Sequence, residues 1–389
     1  MDMNVSRHHP DRKTRTIGKI PRPPGCDGIG LILQGGGALG AYQAGVYQAL
    51  HEAGLEPDWV AGVSIGAINS AIIAGNKAED RVKKLEKFWL DITARDPFTA
   101  WPEGDAPRMM RNMLSALNGV MFGQPGFFKP QPISGFFAQR GSRAATAMYD
   151  TSPLHKTLNA LVDFDMINEG AMRFAVGAVE VDTANFEYFD NQLTEIGPEH
   201  VMASGALPPG LPMIRIGRKY YWDGGLVSNT PLQHLLDNLG SKNMLVFQVD
   251  LFSARGDVPR DMPEVLSRTK DIQYSSRNRT TTDHFLETHK LRQSLRDALH
   301  LVPDSKLTEE QREQKQSLER LPEINIMQLI YQQKAYEGDA KDYEFSRLSM
   351  KEHWRTGYFD TCNTLAHTDW LQFNGTGGIR SFDIHRTGE

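Results

Sequence analysis

Cysteine is scarce in this sequence, which has only Cys26 and Cys362 in 389 residues. Small secreted domains are held together by several disulfides, whereas two distant cysteines are typical of reduced thiols in the cytoplasm. The sequence therefore predicts no disulfide framework and a cytoplasmic location.

Long apolar runs are also absent. No run approaches the length of a membrane-spanning helix, and the first 26 residues lack the apolar core of a secretory signal. Prolines and basic residues in that region predict a disordered basic tail over residues 1–26, which could contact anionic lipid. Any membrane contact is thus expected to be peripheral.

Positive charge is not in excess, because 43 Lys and Arg face 48 Asp and Glu, for a net charge of −5. A nucleic-acid-binding protein needs basic residues to neutralise phosphates, so this partner class is excluded. The acidic residues form no spaced cluster of the calcium-loop type, and we expect neither a metal nor a cofactor.

What the sequence does contain is alternating strand-like and helix-like segments over residues 27–252, which predicts an α/β fold with a mostly parallel sheet. Residues 253–320 are dense in charged residues and predict a helical insertion that could mediate homo-oligomer contacts. Residues 321–389 return to strand and helix patterns, which indicates that the core resumes or is extended there.

The first informative motif is the stretch QGGGALG. Gly35, Gly37 and Gly40 match the G-x-G-x-x-G spacing, between a short apolar strand and a helix predicted over 41–53 that ends at Gly54. A glycine turn at a helix N-terminus can bind an anion. The stretch alone does not distinguish a dinucleotide from another negative group.

The second motif, Gly62-Val63-Ser64-Ile65-Gly66, follows an apolar strand and precedes an apolar helix. Such a G-x-S-x-G turn exposes a serine hydroxyl as a nucleophile, although serine also serves simply as a helix N-cap. A dinucleotide site expects an acidic residue about 20 positions after the glycines. Ser64 stands there instead, and Asp58 precedes the strand, so the glycines are better interpreted as an oxyanion hole.

Asp223 is the acidic residue best placed to serve as a base. It ends a strand in KYYWDGG, and a helix is predicted to begin near Asn229-Thr230-Pro231. An aspartate before two glycines is also common as a simple turn residue.

Taken in order, GGGALG, GVSIG and Asp223-Gly224-Gly225 resemble the patatin-like phospholipase family, over about residues 27–252 and again from about 322. ASGALPPGLPMI and GLVSNTPL, on either side of the aspartate, are also similar to family sequences. The resemblance implies a three-layer fold with helices on both faces of the sheet. It departs from the family pattern at Leu39, where many members have Arg or Lys that would favour anionic head groups.

The resemblance further implies a serine acyl hydrolase that acts on a lipid or other acyl ester without metal or cofactor. Ser64 would be the nucleophile and Asp223 its base. The oxyanion hole would come from Gly35, Gly36, Gly37 and Ala38, with the N–H groups of Gly36 and Gly37 holding the oxyanion. A poorly solvated carboxylate can have its pKa raised toward working pH, which suits it to this role.

Two other classes remain open. An α/β-hydrolase would use a Ser-His-Asp triad on short acyl or hydroxyacyl esters or thioesters, with a histidine after the acid. The histidines after Asp223 are His234, His284, His289, His300, His353, His367 and His385. None lies in a loop of evident catalytic type, and His234 is predicted to be a partly exposed helical residue. The non-enzymatic alternative is a nucleotide-binding regulatory module, which leaves Ser64 unexplained.

A last pattern concerns substrate access. Residues 106–130 predict an amphipathic helix with a Met- and Leu-rich face, followed by a loop rich in Gly and Phe. The ordinary interpretation is a surface helix packed on the core. The alternative is a lid over Ser64, in which Met113, Leu117 and Phe127 contact the acyl chain, since methionine adapts to varied partners.

Overall fold

A computed structural model describes residues 18–93, 104–319, 321–367, 369–375 and 377–383. The helices are α1 (Gly40–Ala53), α2 (Ile65–Ala74), α3 (Ala78–Ile92), α4 (Asp105–Phe122), α5 (Ser152–Leu161), α6 (Phe164–Asn168), α7 (Pro198–Ser204), α8 (Leu232–Asp237), α9 (Met262–His300), α10 (Glu309–Leu318) and α11 (Arg347–Leu365). The strands are β1 (Gly28–Leu33), β2 (Trp59–Gly62), β3 (Lys129–Pro130), β4 (Tyr149–Asp150), β5 (Arg173–Glu180), β6 (Phe186–Asp190), β7 (Ile214–Ile216), β8 (Lys219–Asp223), β9 (Met244–Asp250), β10 (Glu323–Ile330) and β11 (Gly378–Asp383).

The main sheet has nine strands among the described residues, in the order β11-β10-β9-β1-β2-β5-β8-β7, with β6 also paired to β5. The neighbours from β11 to β5 are parallel. Strands β6 and β8 pair antiparallel with β5, and β7 pairs antiparallel with β8. The predicted α/β fold with a mostly parallel sheet is confirmed.

Strand β1 shows how the two faces of the sheet are covered. Successive strand residues point to opposite faces, and Ile29, Leu31 and Leu33 pack in the same core as buried residues of α1, α2 and α11. Ile32 packs in a second core with residues of α8 and α9. A Cβ on Gly30 would lie 2.7 Å from Leu235 Cδ1, so glycine lets α8 approach β1 closely. The arrangement is the predicted three layers.

The C-terminal part of the chain belongs to this same layered fold. Strand β10 pairs with β9, and α11 crosses α1 at close range. A Cβ on Gly45 would lie 1.9 Å from the Trp354 carbonyl oxygen, and one on Gly357 would lie 2.0 Å from the Tyr42 carbonyl oxygen. Two glycines therefore permit the contact that holds α11 to the core.

The charged block is built differently from the solvated helices that the sequence predicts. Most of it is one helix of 39 residues, α9, and a narrow stripe of that helix is buried. The buried stripe includes Ser267, Asp271, Ser275, Phe285 and His289. Helix α9 thus packs along the second face of the sheet, and its N-terminal half approaches the carboxyl ends of the central strands.

The N-terminal segment is described from residue 18. Residues 18–26 of the predicted tail lie against the core, where Ile20 N donates to the Ala53 carbonyl and Arg22 pairs with Asp58 at 2.7 Å. Residues 1–17 lie outside the described residues. Both cysteines are buried free thiols. Within the described ranges, no helix has the length and apolarity needed to cross a membrane.

Candidate active site

Ser64 lies in a sharp turn between β2 and α2. Its φ of 56° and ψ of −125° put a non-glycine residue in a rarely populated conformation. A Cβ on Gly62 would lie 2.2 Å from the Gly66 carbonyl oxygen, and one on Gly66 would lie 2.2 Å from the Leu33 carbonyl oxygen. The turn closes tightly only because both flanking positions are glycine, and it points the serine away from the sheet.

The backbone of this turn is fixed from outside by Ser204, the last residue of α7. Ser64 N donates to both the carbonyl oxygen and Oγ of Ser204, at 3.1 Å each. Ser204 Oγ in turn donates to the Gly177 carbonyl of β5 at 2.6 Å. Nothing in the sequence ASGALPPGLPMI marks Ser204 for this role.

Asp223 ends β8 and is buried beside Ser64. Its Oδ1 accepts a hydrogen bond from Gly225 N at 2.7 Å, and the Ser64 side chain lies near enough to its carboxyl group to lower the pKa of that group. Burial raises the pKa of Asp223 from 3.8 to about 6, while Ser64 and the hydrogen bond from Gly225 oppose that rise. The two residues singled out from separate motifs therefore lie close together.

The glycine-rich loop after β1 lies against the serine. A Cβ on Gly35 would be 3.0 Å from Ser64 Cβ. Asn229 binds Gly35 twice, since Asn229 Nδ2 donates to the Gly35 carbonyl at 3.0 Å and Gly35 N donates to the Asn229 carbonyl at 3.2 Å. Ala38 N donates to the Asp342 carbonyl at 2.7 Å. Of the four predicted oxyanion residues, Gly36 and Gly37 thus have backbone N–H groups with no acceptor among the described residues. Leu39, at the position where the family pattern has a basic residue, is buried in the core.

A second layer of contacts holds this loop through residues that the sequence analysis missed. Gln34 is fully buried, and its Nε2 donates to the Tyr274 carbonyl of α9 at 3.3 Å. Its Oε1 accepts from Leu251 N and Phe252 N, at 2.6 and 3.1 Å. The loop is therefore anchored to α9 and to the end of β9.

The segment 331–346, between β10 and α11, supports the loop from another side. Lys270 Nζ of α9 donates to Asp342 Oδ1 at 2.7 Å and to the Asp339 carbonyl at 2.6 Å. Lys341 Nζ, which is buried, pairs with Asp271 Oδ1 at 2.6 Å. These ion pairs fix the Asp342 carbonyl that accepts the hydrogen bond from Ala38.

The predicted lid residues do not share one location. Met113 and Leu117 of α4 are 56% and 52% exposed. Phe127 is instead buried, and its ring packs against that of Phe345 with centroids 5.9 Å apart. A cavity of about 300 Å³ adjoins the end of α4, lined in part by Phe122, Gln124, Phe128 and Pro153, and its lining does not include Ser64.

Two of the histidines after Asp223 are paired with carboxylates away from Ser64. His234 Nε2 lies 2.8 Å from Asp190 Oδ2, and His353 Nε2 lies 2.7 Å from Glu337 Oε1. His234 is buried beside Trp59, so the expectation of a partly exposed histidine was wrong. Trp59 begins β2 and Ser64 follows its end, so this histidine lies toward the opposite edge of the sheet. His385 lies outside the described residues.

Comparison with known proteins identifies the family. The sequence model of a family described as patatin-like phospholipase matches residues 31–236, more than half of the chain. The chain belongs to the patatin-like phospholipase family. A second model, described as patatin phospholipase, matches residues 272–375, which include most of α9 and all of α11. The predicted resemblance is confirmed, and the family name agrees with the predicted enzyme class, a lipid ester hydrolase.

Individual relatives match only short segments. The chain is 41% identical to lysophospholipase nte1 of Aspergillus terreus over 76 residues, which are 17% of this chain and 5% of that protein. It is 42% identical to neuropathy target esterase sws of Drosophila melanogaster over 72 residues, 16% of this chain and 5% of that protein. The chain thus covers a small part of these relatives. VipD from Legionella pneumophila aligns with 92% of this chain and 72% of its own, at 15% identity and a TM-score of 0.39, a likeness that supports no inference.

Proposed function

We propose that this protein is a serine acyl hydrolase that cleaves carboxylic ester bonds of lipids with a Ser64–Asp223 dyad. The observation that carries the proposal is the closeness of Ser64, in its strained turn, to the buried carboxyl of Asp223, whose pKa burial raises to about 6. The names of the two relatives, a lysophospholipase and an esterase, support a lipid ester as the substrate class.

In the first half-reaction, Ser64 Oγ attacks the ester carbonyl and its proton passes to the Asp223 carboxylate. A pKa of about 6 keeps this carboxylate mostly ionised at neutral pH and still basic enough to accept the proton. The negative charge that develops on the carbonyl oxygen is stabilised by the N–H groups of Gly36 and Gly37. As the bond to the alcohol breaks, Asp223 returns the proton to the leaving oxygen.

In the second half-reaction, water attacks the acyl-enzyme. Asp223 accepts a proton from that water, and the same two N–H groups hold the new oxyanion. Collapse of the intermediate breaks the bond to Ser64 Oγ, which takes the proton back, and releases the carboxylic acid. No step requires a metal or a cofactor.

A fluorophosphonate probe tests this assignment, because it labels an activated serine covalently. We expect mass spectrometry to find the adduct on Ser64, and both Ser64→Ala and Asp223→Asn to abolish labelling and ester hydrolysis with the circular dichroism spectrum retained. His284→Gln is the matched control, since this exposed histidine should leave both readouts unchanged.

Other outcomes would assign the protein differently. Loss of turnover by orders of magnitude in a folded single-histidine variant would indicate a triad. Retention of nucleotide with no serine adduct would indicate a regulatory module. An active enzyme would next be screened across acyl chain length and head group, because the same carbonyl is present in phospholipids, neutral glycerides and thioesters.

A further inference from the structure

Helix α4 lies at the surface with its apolar face outward, whereas an ordinary amphipathic surface helix buries that face. Its buried residues are Asn112, Ala116 and Gly119, which lie on one face at helical spacing. Its large apolar side chains point outward and are exposed: Met109, Met110, Met113, Leu114, Leu117, Val120, Met121 and Phe122. Exposed apolar patches of this extent are found at interaction sites.

Contacts along its inner side hold α4 in this orientation. Arg108 donates to Ser349 Oγ at 3.0 Å and pairs with Glu352 at 2.8 Å. Tyr149 OH donates to the Val120 carbonyl at 2.7 Å. Rotating the helix to bury its apolar face over Ser64 would break these contacts. The apolar face is therefore held exposed.

The segment that follows extends the same surface. Strands β3 and β4 pair next to the C-terminal end of α4, and the connection between them carries Phe136 and Phe137, which are 89% and 86% exposed. Residues 106–149 contain 12 of the 25 large apolar side chains that are exposed among the described residues. We call these 12 side chains the apolar surface; besides the eight of α4 they are Ile133, Phe136, Phe137 and Met148.

Charge indicates what this surface contacts. In a chain with a net charge of −5, residues 106–149 have no Asp or Glu and contain five basic residues, Arg108, Arg111, Lys129, Arg140 and Arg143. Part of this charge is offset, since Arg108 pairs with Glu352 and Lys129 lies 3.4 Å from Asp150. Arg140 is exposed three residues from Phe137. Apolar side chains flanked by basic ones match an anionic lipid surface, which accepts apolar groups below its negative head groups. A two-fold contact between two copies would instead bring like charges together.

The inner face of α4, opposite the apolar surface, packs near the segment that supports the glycine-rich loop. A Cβ on Gly119 would lie 3.9 Å from the Tyr343 carbonyl oxygen, and Tyr343 follows Asp342, the acceptor for Ala38 N. On the other flank, a Cβ on Gly210 would lie 3.8 Å from the Tyr149 ring, and one on Gly205 would lie 3.7 Å from Ser64 Cα. Helix α4 and the β3–β4 pair thus pack on elements that flank the candidate active site.

We propose that the outward face of α4 and the Phe136–Phe137 loop dock the protein on an anionic lipid bilayer. This proposal does not depend on the catalytic assignment, because a protein without a nucleophile should bind equally well. Docking would hold the protein at the lipid surface, where an insoluble ester is found.

Vesicle flotation with the full chain tests the proposal, using Ser64→Ala so that the lipid is not hydrolysed. We expect binding to phosphatidylcholine vesicles that contain phosphatidylglycerol, and weaker binding to phosphatidylcholine alone. The loop variant Phe136→Ser/Phe137→Ser and the helix variant Met110→Ser/Met121→Ser should each weaken binding about tenfold or more. Arg140→Glu should weaken binding to the anionic vesicles alone.

Leu193→Ser and Leu301→Ser are matched controls, because these side chains are also highly exposed but lie outside the apolar surface. They should bind like the parent. In the background with Ser64 intact, Phe136→Ser/Phe137→Ser should keep its turnover of a short soluble ester, which separates docking from catalysis. The proposal is overturned if folded protein does not bind anionic vesicles, or if the control variants lose as much binding as the surface variants. It is also overturned if analytical ultracentrifugation detects a dimer that the surface variants abolish.

Discussion

Gly62 and Asp223 lie on the same side of β5, where Gly62 pairs with Val176 and Asp223 with Ala178. Strand β6 pairs with the other side of β5 at Val176 and Ala178. Strands β2 and β8 therefore both pair with the same side of β5. Ser64 follows Gly62 by two residues and therefore lies near the carboxyl group of Asp223, the last residue of β8. The register of one strand therefore places Ser64 near Asp223, and a slip of one residue in β8 would turn the carboxyl group to the opposite face.

The first prediction concerns acid pH. Asp223 must be ionised to accept the serine proton, and burial raises its pKa to about 6. We expect kcat/KM for a short soluble ester to be level at neutral pH and to fall roughly tenfold per pH unit on the acid side of that value. A titration of activity through pH 6 measures this, and a profile flat across that range would refute Asp223 as the base.

The second prediction concerns the pH dependence of stability. The contribution of Asp223 falls as pH rises, whereas that of most carboxylates rises. The pKa of Asp223 is raised on folding, from 3.8 to about 6, so the stability that its proton provides is present at acid pH and is lost as pH rises through 6. The loss at alkaline pH amounts to at most about 3 kcal/mol. Asp223→Asn stays neutral and can accept from Gly225 N, so it should unfold at a higher temperature than the parent at mildly alkaline pH.

The pH dependence of that difference provides the control. The two proteins should converge as pH falls below 6, where the parent carboxyl is protonated. Calorimetric unfolding temperatures of both proteins, measured at mildly alkaline pH and below pH 6, check this. A variant that is less stable than the parent at alkaline pH would show that the ionised carboxylate is favourably solvated in the fold.

The sequence was sufficient to predict the sharp turn at Ser64, because the requirements of that turn are local. Gly62 and Gly66 are needed where a Cβ would meet backbone atoms within a few residues or on the adjoining strand. Asp223 was recognisable for the same reason, as a carboxylate at a strand end before two glycines. The α/β class followed from the alternation of strand and helix patterns.

What the sequence could not provide depends on tertiary contacts. Asn229, Ser204 and Asp342 contribute through backbone groups or simple hydrogen bonds, and nothing in their residue type marks them out. The periodicity of α4 correctly defined two faces, but a period does not tell which face points inward. In this helix the face with Asn112, Ala116 and Gly119 is buried, and the apolar face is exposed.

The third prediction tests the glycine-rich loop. Gly37 has a φ of +53°, and a Cβ there would lie 2.0 Å from the Asp342 carbonyl oxygen. Gly37→Ala should displace the loop and depress kcat by about a hundredfold or more, the scale on which loss of an oxyanion donor acts. Gly338→Ala is the matched control, because it lies in the segment that contains Asp342 and its Cβ would meet nothing within 4 Å. Normal turnover by Gly37→Ala would remove the loop from the mechanism.

The last prediction assigns a positioning role to Lys270 at a distance from the reacting atoms. Its ammonium group holds both the Asp342 side chain and the Asp339 carbonyl, and Asp342 in turn holds Ala38 N. Lys270→Met should lower kcat about tenfold through misplacement of the oxyanion donors, with KM for a short soluble ester nearly unchanged. Lys270→Arg should restore much of the lost rate because it keeps the charge. Lys315→Met is the control, since that residue also makes a 2.7 Å ion pair, with Asp304, in the same charged block but away from this loop. If both methionine variants lose equal activity, or if Lys270→Met raises KM with kcat intact, Lys270 does not act on the oxyanion loop.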